Sequence, residues 1–251
     1  IQLNGPDQRF QILIDGRPSS GDLADLTGEA RFESKTPDVV SVTADGLVQG
    51  RRDGQGVVEV QAATGRLRVE VAVTNTAAPR RFNFEDDITP LFSRYGCNSA
   101  GCHGKAEGQN GFKLSVFGYD PKGDYNALVM ESRGRRVFPA APEQSLILLK
   151  MSGTIPHGGG PRIQPGSAEY RIIRDWIAAG VPFSEGTDPK VERIELTPRE
   201  RLLPLGSRQR LRVVATYTNG RKVDVTHLAQ FQSNNEGLAH VNEHGLVEVG
   251  S

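Results

Sequence analysis

Residues 30–50 read ARFESKTPDVVSVTADGLVQG, and residues 229–249 read AQFQSNNEGLAHVNEHGLVEV. With 199 added to each number, Ala30, Phe32, Ser34, Val42, Gly46, Leu47 and Val48 fall on Ala229, Phe231, Ser233, Val241, Gly245, Leu246 and Val247, seven identities in 21 positions without a gap. Matching of that density marks one supersecondary unit used twice. Inside the unit, Val39-Val40-Ser41-Val42 runs into the turn signal Asp45-Gly46. Outward from it, residues 10–14 (FQILI) precede Asp15-Gly16, residues 57–60 (VVEV) follow, and residues 67–73 (LRVEVAV) alternate apolar with polar. Short alternating runs punctuated by turns predict strands with one buried and one wet face, and about seven of them close a small two-sheet sandwich. The counterpart of the strands at 57–73 falls beyond Ser251, so the chain reads as a fragment of a longer protein.

The 251 residues, 27.3 kDa, suit two or three small domains better than one large core. Thirty Lys and Arg balance thirty Asp and Glu. No global field therefore draws the chain to nucleic acid or anionic lipid, and no nucleic-acid partner is expected. The longest apolar runs, such as Leu146-Ile147-Leu148-Leu149, are far below a membrane span, so a membrane-spanning chain is not expected either. Position 1 is Ile rather than Met, which reads as a processed or trimmed product and leaves export open.

Between the two copies, bounded by residues 75–79 (NTAAP) and 184–189 (SEGTDP), the periodicity turns helical. Ile88, Leu91, Phe92 and Tyr95 stand at i, i+3, i+4 and i+7, and Gly96 ends that stretch. A second helix runs from an N-cap at Ser167 to Gly180, with Tyr170, Ile173, Trp176 and Ile177 on one face, and a shorter one covers residues 144–151. The expected domains are 1–78 and 187–251, both β, and 79–186, mainly helical.

The chain holds two cysteines, Cys97 and Cys102, in Cys97-Asn98-Ser99-Ala100-Gly101-Cys102-His103. Two thiols on one short loop with a histidine directly after the second are the set that covalent haem attachment requires: the sulfurs reach two vinyl groups, and the imidazole becomes the proximal iron ligand. The spacing here is C-x4-C-H, two residues longer than the usual C-x-x-C-H, and small residues at 98–101 suit a bulge. Gly101 and Gly104 let the backbone pass close to a flat macrocycle. Three other readings stand beside it: a Cys97–Cys102 disulfide, a zinc site from Cys97, Cys102, His103 and one further histidine, and free buried thiols. Phe112, Leu114, Val116 and Phe117 offer an apolar wall or ordinary core. Arg133, Arg135 and Arg136 are either partners for haem carboxylates or a solvated basic loop.

Residues 82–183 resemble the planctomycete-type c-type cytochrome domains through GCNSAGCHG, NGFKLSVFGYDP, PAAPEQSLILLKMSGTIPHGGG and IRDWIAAG. The two β copies resemble group 2 bacterial immunoglobulin-like domains through Asp45-Gly46-Leu47-Val48-Gln49-Gly50 and His244-Gly245-Leu246-Val247-Glu248-Val249. These resemblances imply all-β immunoglobulin-like sandwiches flanking a mainly α cytochrome c-like domain, one covalent haem c, export to the periplasm or cell surface, and electron transfer. In related domains a ligand loop sits just ahead of the terminal helix. Here that loop is Ile155-Pro156-His157-Gly158-Gly159-Gly160, which points to His157 as distal ligand, with Met151, Met130 or an open position as alternatives. An iron held by two protein ligands exchanges electrons rather than making bonds, so no catalytic residue is expected, and the partner is a redox protein. The other class of function left open is a haem-free surface adhesion or carbohydrate-binding protein with the cysteines bridged.

Overall fold

The computed structural model of the chain describes residues 1–17, 23–63, 65–184 and 186–250. Glu185 of the second linker and the terminal Ser251 lie outside them. The chain divides into two compact units, Ile1–Arg80 with Pro189–Ser251, and Arg81–Asp188.

In the first unit, two sheets enclose the core of the N-terminal copy. One has the order β1 (Gln2–Asn4), β9 (Gly65–Thr74), β8 (Gly54–Ala62), β5 (Arg31–Ser34), with β1 parallel to β9 and the other pairs antiparallel. The other has the order β2 (Arg9–Gln11), β7 (Leu47–Gly50), β6 (Val40–Val42), and β3 (Asp15–Gly16) with β4 (Ala24–Asp25) adds a two-residue ladder. Val58, Val60, Val71 and Val73 alternate along β8 and β9, and all are buried in one core with Val40 and Val48. The period of two in the sequence thus becomes one inward face. Gly56 allows the closest approach, since a Cβ there would stand 2.6 Å from Cγ1 of Val40.

The C-terminal copy repeats this layout. β11 (Arg208–Arg210), β15 (Leu246–Val249) and β14 (Ala239–Val241) take the order of β2, β7 and β6, and β12 (Arg212–Tyr217) with β13 (Lys222–Asp224) takes the place of β3 with β4. β10 (Val191–Thr197) pairs along the other edge of β12. Hydrogen bonds recur at the same offset of 199: Ile12 N donates to Gly46 O at 2.9 Å and Leu211 N to Gly245 O at 2.7 Å. Likewise Ile14 N donates to Thr27 Oγ1, and Val213 N to Thr226 Oγ1, both at 2.9 Å. β5, β8 and β9 have no counterparts among the described residues of this copy. Leu238, in the place of Val39, is accordingly 64% exposed where Val39 is 9% exposed.

The second unit contains no named strand among its described residues. A π turn at Phe84–Ile88 runs into α1 (Thr89–Arg94), α2 (Pro121–Tyr125) runs into a second π turn at Asn126–Met130, and α3 (Leu146–Met151) and α4 (Ala168–Ala178) follow. Asn83 Oδ1 caps the first turn by accepting from Glu85 N at 2.9 Å and Asp86 N at 3.2 Å, and three acidic residues there complement the positive end of the turn. Ser167 Oγ caps α4, as its sequence predicts, accepting from Tyr170 N at 3.1 Å.

Phe84 centres the core of this unit, with ring centroids of Tyr125 at 5.3 Å, Trp176 at 5.6 Å and Phe183 at 6.0 Å. Trp176 is core, fully buried, with Nε1 donating to Pro182 O at 2.9 Å. Tyr125 Oη donates to Val181 O at 2.8 Å, and Phe84 N to Phe183 O at 2.7 Å, so the two ends of the unit are tied together.

The expected fold class, immunoglobulin-like sandwiches flanking a mainly α cytochrome c-like domain, is corrected here. The chain is mostly β, its helices are few and short, and turn and irregular backbone outweigh helix even within residues 81–188. Glycines explain the difference. Gly96, Gly118, Gly134, Gly153 and Gly180 all take positive φ, and such residues end a helix rather than extend it. The spacing of Ile88, Leu91 and Phe92 does bury all three, but on a π turn and a six-residue helix.

Candidate functional site

Helix α1 delivers the cysteine loop. Tyr95 N donates to Leu91 O, Gly96 N to Ser93 O and Cys97 N to Phe92 O at 2.8 Å, so the helix closes through Gly96 at φ +68° straight into Cys97. The loop then folds on itself: Cys102 N donates to Ser99 O, His103 N to Cys97 O at 2.9 Å, and Gly104 N to Ser99 O. Asn98 does not bulge outward. It is 1% exposed, and its Nδ2 donates to Ser93 Oγ at 2.9 Å. Gly104 packs against the loop's own backbone, where a Cβ would stand 2.3 Å from Asn98 O.

A second loop, after α3, carries His157. Lys150 Nζ donates to Pro156 O at 2.5 Å, Gly160 N to His157 O at 2.9 Å, and Arg162 N to Met151 O at 2.7 Å, which folds the turn back onto the end of α3. The two loops bring the rings of His103 and His157 together, with centroids 6.3 Å apart and planes within 11° of parallel. His103 Nδ1 donates to Phe112 O and His157 Nδ1 to Gly160 O, both at 3.0 Å. A carbonyl can only accept, so each ring is fixed in the tautomer that leaves Nε2 as a lone-pair donor, the second-shell arrangement typical of metal-bound histidine. Burial holds the His103 imidazole below its ordinary range and the carbonyl of Phe112 pulls the other way, with the positive charge of Arg136 and Lys105 adding to the depression.

Both rings line one cavity of about 570 Å³, within the range of small-molecule sites. Cys97 and Cys102 line the same cavity as free, half-buried thiols. Burial pushes the Cys97 thiol up to about 11, against the pull of the Arg162 charge, so at neutral pH it is a protonated S–H. Phe92, Phe112, Leu114, Leu128 and Ile147 make the wall apolar. Among the described residues lining it, none is Asp or Glu, and four are cations: Arg135, Arg136, Lys150 and Arg162.

The residues singled out by sequence therefore divide. Cys97, Cys102, His103, His157 and Met151 meet at the cavity, as do Phe112, Leu114, Arg135 and Arg136. Met130, Arg133, Val116 and Phe117 do not line it, and Met130 and Phe117 are exposed. Lys150 and Arg162 were not foreseen, because they are isolated basic residues whose convergence depends on the turn between them. Asn98 gave no signal beyond being small and polar.

No family model matches the sequence, and no curated protein matches it. Four chains of solved structures do. One is a bacterial Ig-like domain containing GH10 xylanase from termite gut, similar at 16% identity over 37% of this chain and 23% of that chain, with a TM-score of 0.25. This chain thus spans under a quarter of the xylanase's length, and a likeness so weak supports no argument. The expected kinship with planctomycete-type c-type cytochrome domains and group 2 immunoglobulin-like domains is overturned: no family model recovers it, the chain is mostly β, and no three His, Cys, Asp or Glu side chains among the described residues gather to hold a metal ion. The quoted stretches are Gly-rich turns, the short helix α3 and the end of α4, and such segments specify local backbone more than descent.

Proposed function

We propose that the unit at residues 81–188 holds one haem covalently and serves one-electron transfer outside the cytoplasm, with a redox protein as partner. The single observation that carries this reading is the pair of near-parallel imidazoles on one cavity. With metal–nitrogen bonds of about 2 Å, an ion between two such rings sets their centres about 6 Å apart, and the separation is 6.3 Å. Two imidazoles are too few for a bare ion held by protein alone, which takes three or more side chains. They would suffice for the iron of a haem, whose macrocycle brings the other ligands itself. The reading rests on this donor set and not on kinship.

In this proposal His103 and His157 would hold the iron, and the carbonyls of Phe112 and Gly160 orient the two rings and raise their basicity. Cys97 and Cys102 would attach the macrocycle, each thiol supplying the sulfur and the hydrogen that one vinyl group takes up, with no oxidant consumed. Phe92, Leu114 and Leu128 exclude water from the faces, and Met151, buried at the end of α3, packs beside them. Bound haem supplies a reversible Fe(III)/Fe(II) couple, whose potential two imidazoles set lower than a histidine and methionine pair would.

The test is a pyridine haemochrome spectrum and an intact mass of the chain made in cells that mature covalent haem. We expect a covalent haem band and a mass increased by one haem, a single-thioether band in Cys102→Ser, and in His157→Ala a shifted Soret band with a raised midpoint potential. A colourless protein with the mass of the bare polypeptide would overturn the reading.

A further inference from the structure

We infer that Arg136 is a positioning residue for His103: its guanidinium seats the turn at residues 109–112, whose carbonyl holds the His103 ring with Nε2 bare. The inference rests on the haem reading above for its use, and adds what keeps one of that site's two imidazoles ready to hold iron.

Because His103 Nδ1 donates to Phe112 O, the ring is set by where residue 112 stands. That residue closes a two-residue hairpin turn: Gln109 N donates to Phe112 O at 2.8 Å and Phe112 N to Gln109 O at 3.0 Å, with Asn110 and Gly111 between them at φ +52° and +71°. The turn is rigid in itself, yet Gln109, Asn110 and Gly111 are exposed, so its place against His103 has to be fixed from within. One tie is Leu114 N, which donates to His103 O at 2.8 Å. Arg136 supplies the other. It is 4% exposed, its Nη2 donates to Gly111 O at 2.6 Å and its Nη1 to Ala127 O at 2.8 Å, and its guanidinium lies 4.8 Å over the Phe112 ring. The Phe112 ring stands in turn 4.7 Å from the His103 ring, centroid to centroid. The backbone of Arg136 is itself held, its carbonyl accepting from Ile147 N at 3.1 Å at the start of α3. One residue thus joins the second π turn, α3 and the 109–112 turn, and passes their rigidity to His103. Burying a guanidinium is costly unless its N–H groups are satisfied. Here the fork spends two of them on carbonyls of different segments, a geometry that lysine, with a single donor centre, does not copy.

The test is nitrogen NMR of the full chain, isotope-labelled at histidine and arginine, produced without haem maturation and held at a pH where both imidazoles are neutral. In the wild type both rings should show the Nδ1–H tautomer, and the Arg136 Nη protons should exchange slowly with water and give a nuclear Overhauser effect to the Phe112 ring. In Arg136→Gln and in Arg136→Lys, the ratio of the Nδ1–H to the Nε2–H form of His103 should fall about fivefold, the population factor of one net hydrogen bond. His157, held by Gly160 O, should keep its tautomer and serves as the internal control. Rapid exchange of the Arg136 Nη protons in the wild type, a His103 tautomer that neither variant moves, full rescue by lysine, or an equal change at His157 would overturn the inference, and the first of these is read even if neither variant folds. No readout here involves haem, so each outcome stands apart from that of the haemochrome test.

Discussion

Asp124 illustrates how a single buried carboxylate ties distant backbone together. Its Oδ1 accepts from Ser115 N at 2.5 Å and its Oδ2 from Ser115 Oγ at 2.7 Å, while Ser115 Oγ in turn accepts from Asp120 N at 3.0 Å. These bonds pin the chain leaving the His103 wall to α2. Burial raises the carboxyl above its ordinary value, with Asp120 contributing, although the Ser115 bonds oppose the rise. Because the folded state holds the proton more tightly than the unfolded one, this group's contribution to stability is full below 3.8 and is lost as pH rises through the raised folded value. Asp124→Asn keeps an acceptor for Ser115 N and a polar partner for the hydroxyl, but does not titrate. Chemical denaturation of the wild type followed at Trp176 should show stability falling as pH rises above 3.8 relative to Asp124→Asn. Parallel profiles for the two proteins would refute the shifted titration.

At the scale of elements, the loop of residues 97–104 depends on a glycine more than on its bulge. A methyl group at 104 would press on Asn98 O at 2.3 Å and Ser99 O at 2.8 Å, both backbone atoms of the same loop. Gly104→Ala should therefore cost about 1–3 kcal/mol of stability in this unit and displace His103. Gly101→Ala, with open space at its Cβ, should cost little. Urea titrations of both variants read by Trp176 fluorescence check this, and equal midpoints would contradict it. Much of this region was legible in the sequence: the cap at Ser167, the stop at Gly96, and the burial of Ile173, Trp176 and Ile177. What was not legible was how little helix lies between those signals. Apolar spacing reports which residues face inward, and a π turn or a single helical turn satisfies i, i+3, i+4 as well as a long helix does. The inward packing of Asn98 was equally hidden, because it depends on Ser93 one turn back in α1.

Over the first unit, the offset of 199 was readable, and the contact between the two copies was not, since a repeat specifies each copy and says nothing of how they meet. They meet reciprocally. Gln11 N on β2 donates to Asp224 Oδ2 at 2.7 Å, and Arg210 N on β11, its counterpart, donates to Asp25 Oδ2. Each aspartate also holds its own copy's turn, Asp25 Oδ1 accepting from Thr27 N at 2.8 Å and Asp224 Oδ1 from Thr226 N at 3.0 Å. Arg212 strengthens the join, donating to Gln11 O at 3.0 Å while its guanidinium lies 4.6 Å over the Phe10 ring. Such an exchange gives the C-terminal copy, in which Leu238 is exposed, a second surface on which to be held. Asp25→Ala and Asp224→Ala should each cost about 1.5–3 kcal/mol, the range for hydrogen bonds to a charged acceptor. Since both variants loosen one contact, the double variant should cost clearly less than the sum of the two. Far-UV circular dichroism reports the β-rich unit, which contains no tryptophan, while Trp176 reports the other. The dichroism transition should move and the fluorescence transition should not. Strict additivity of the two substitutions would show instead that each aspartate serves only its own turn.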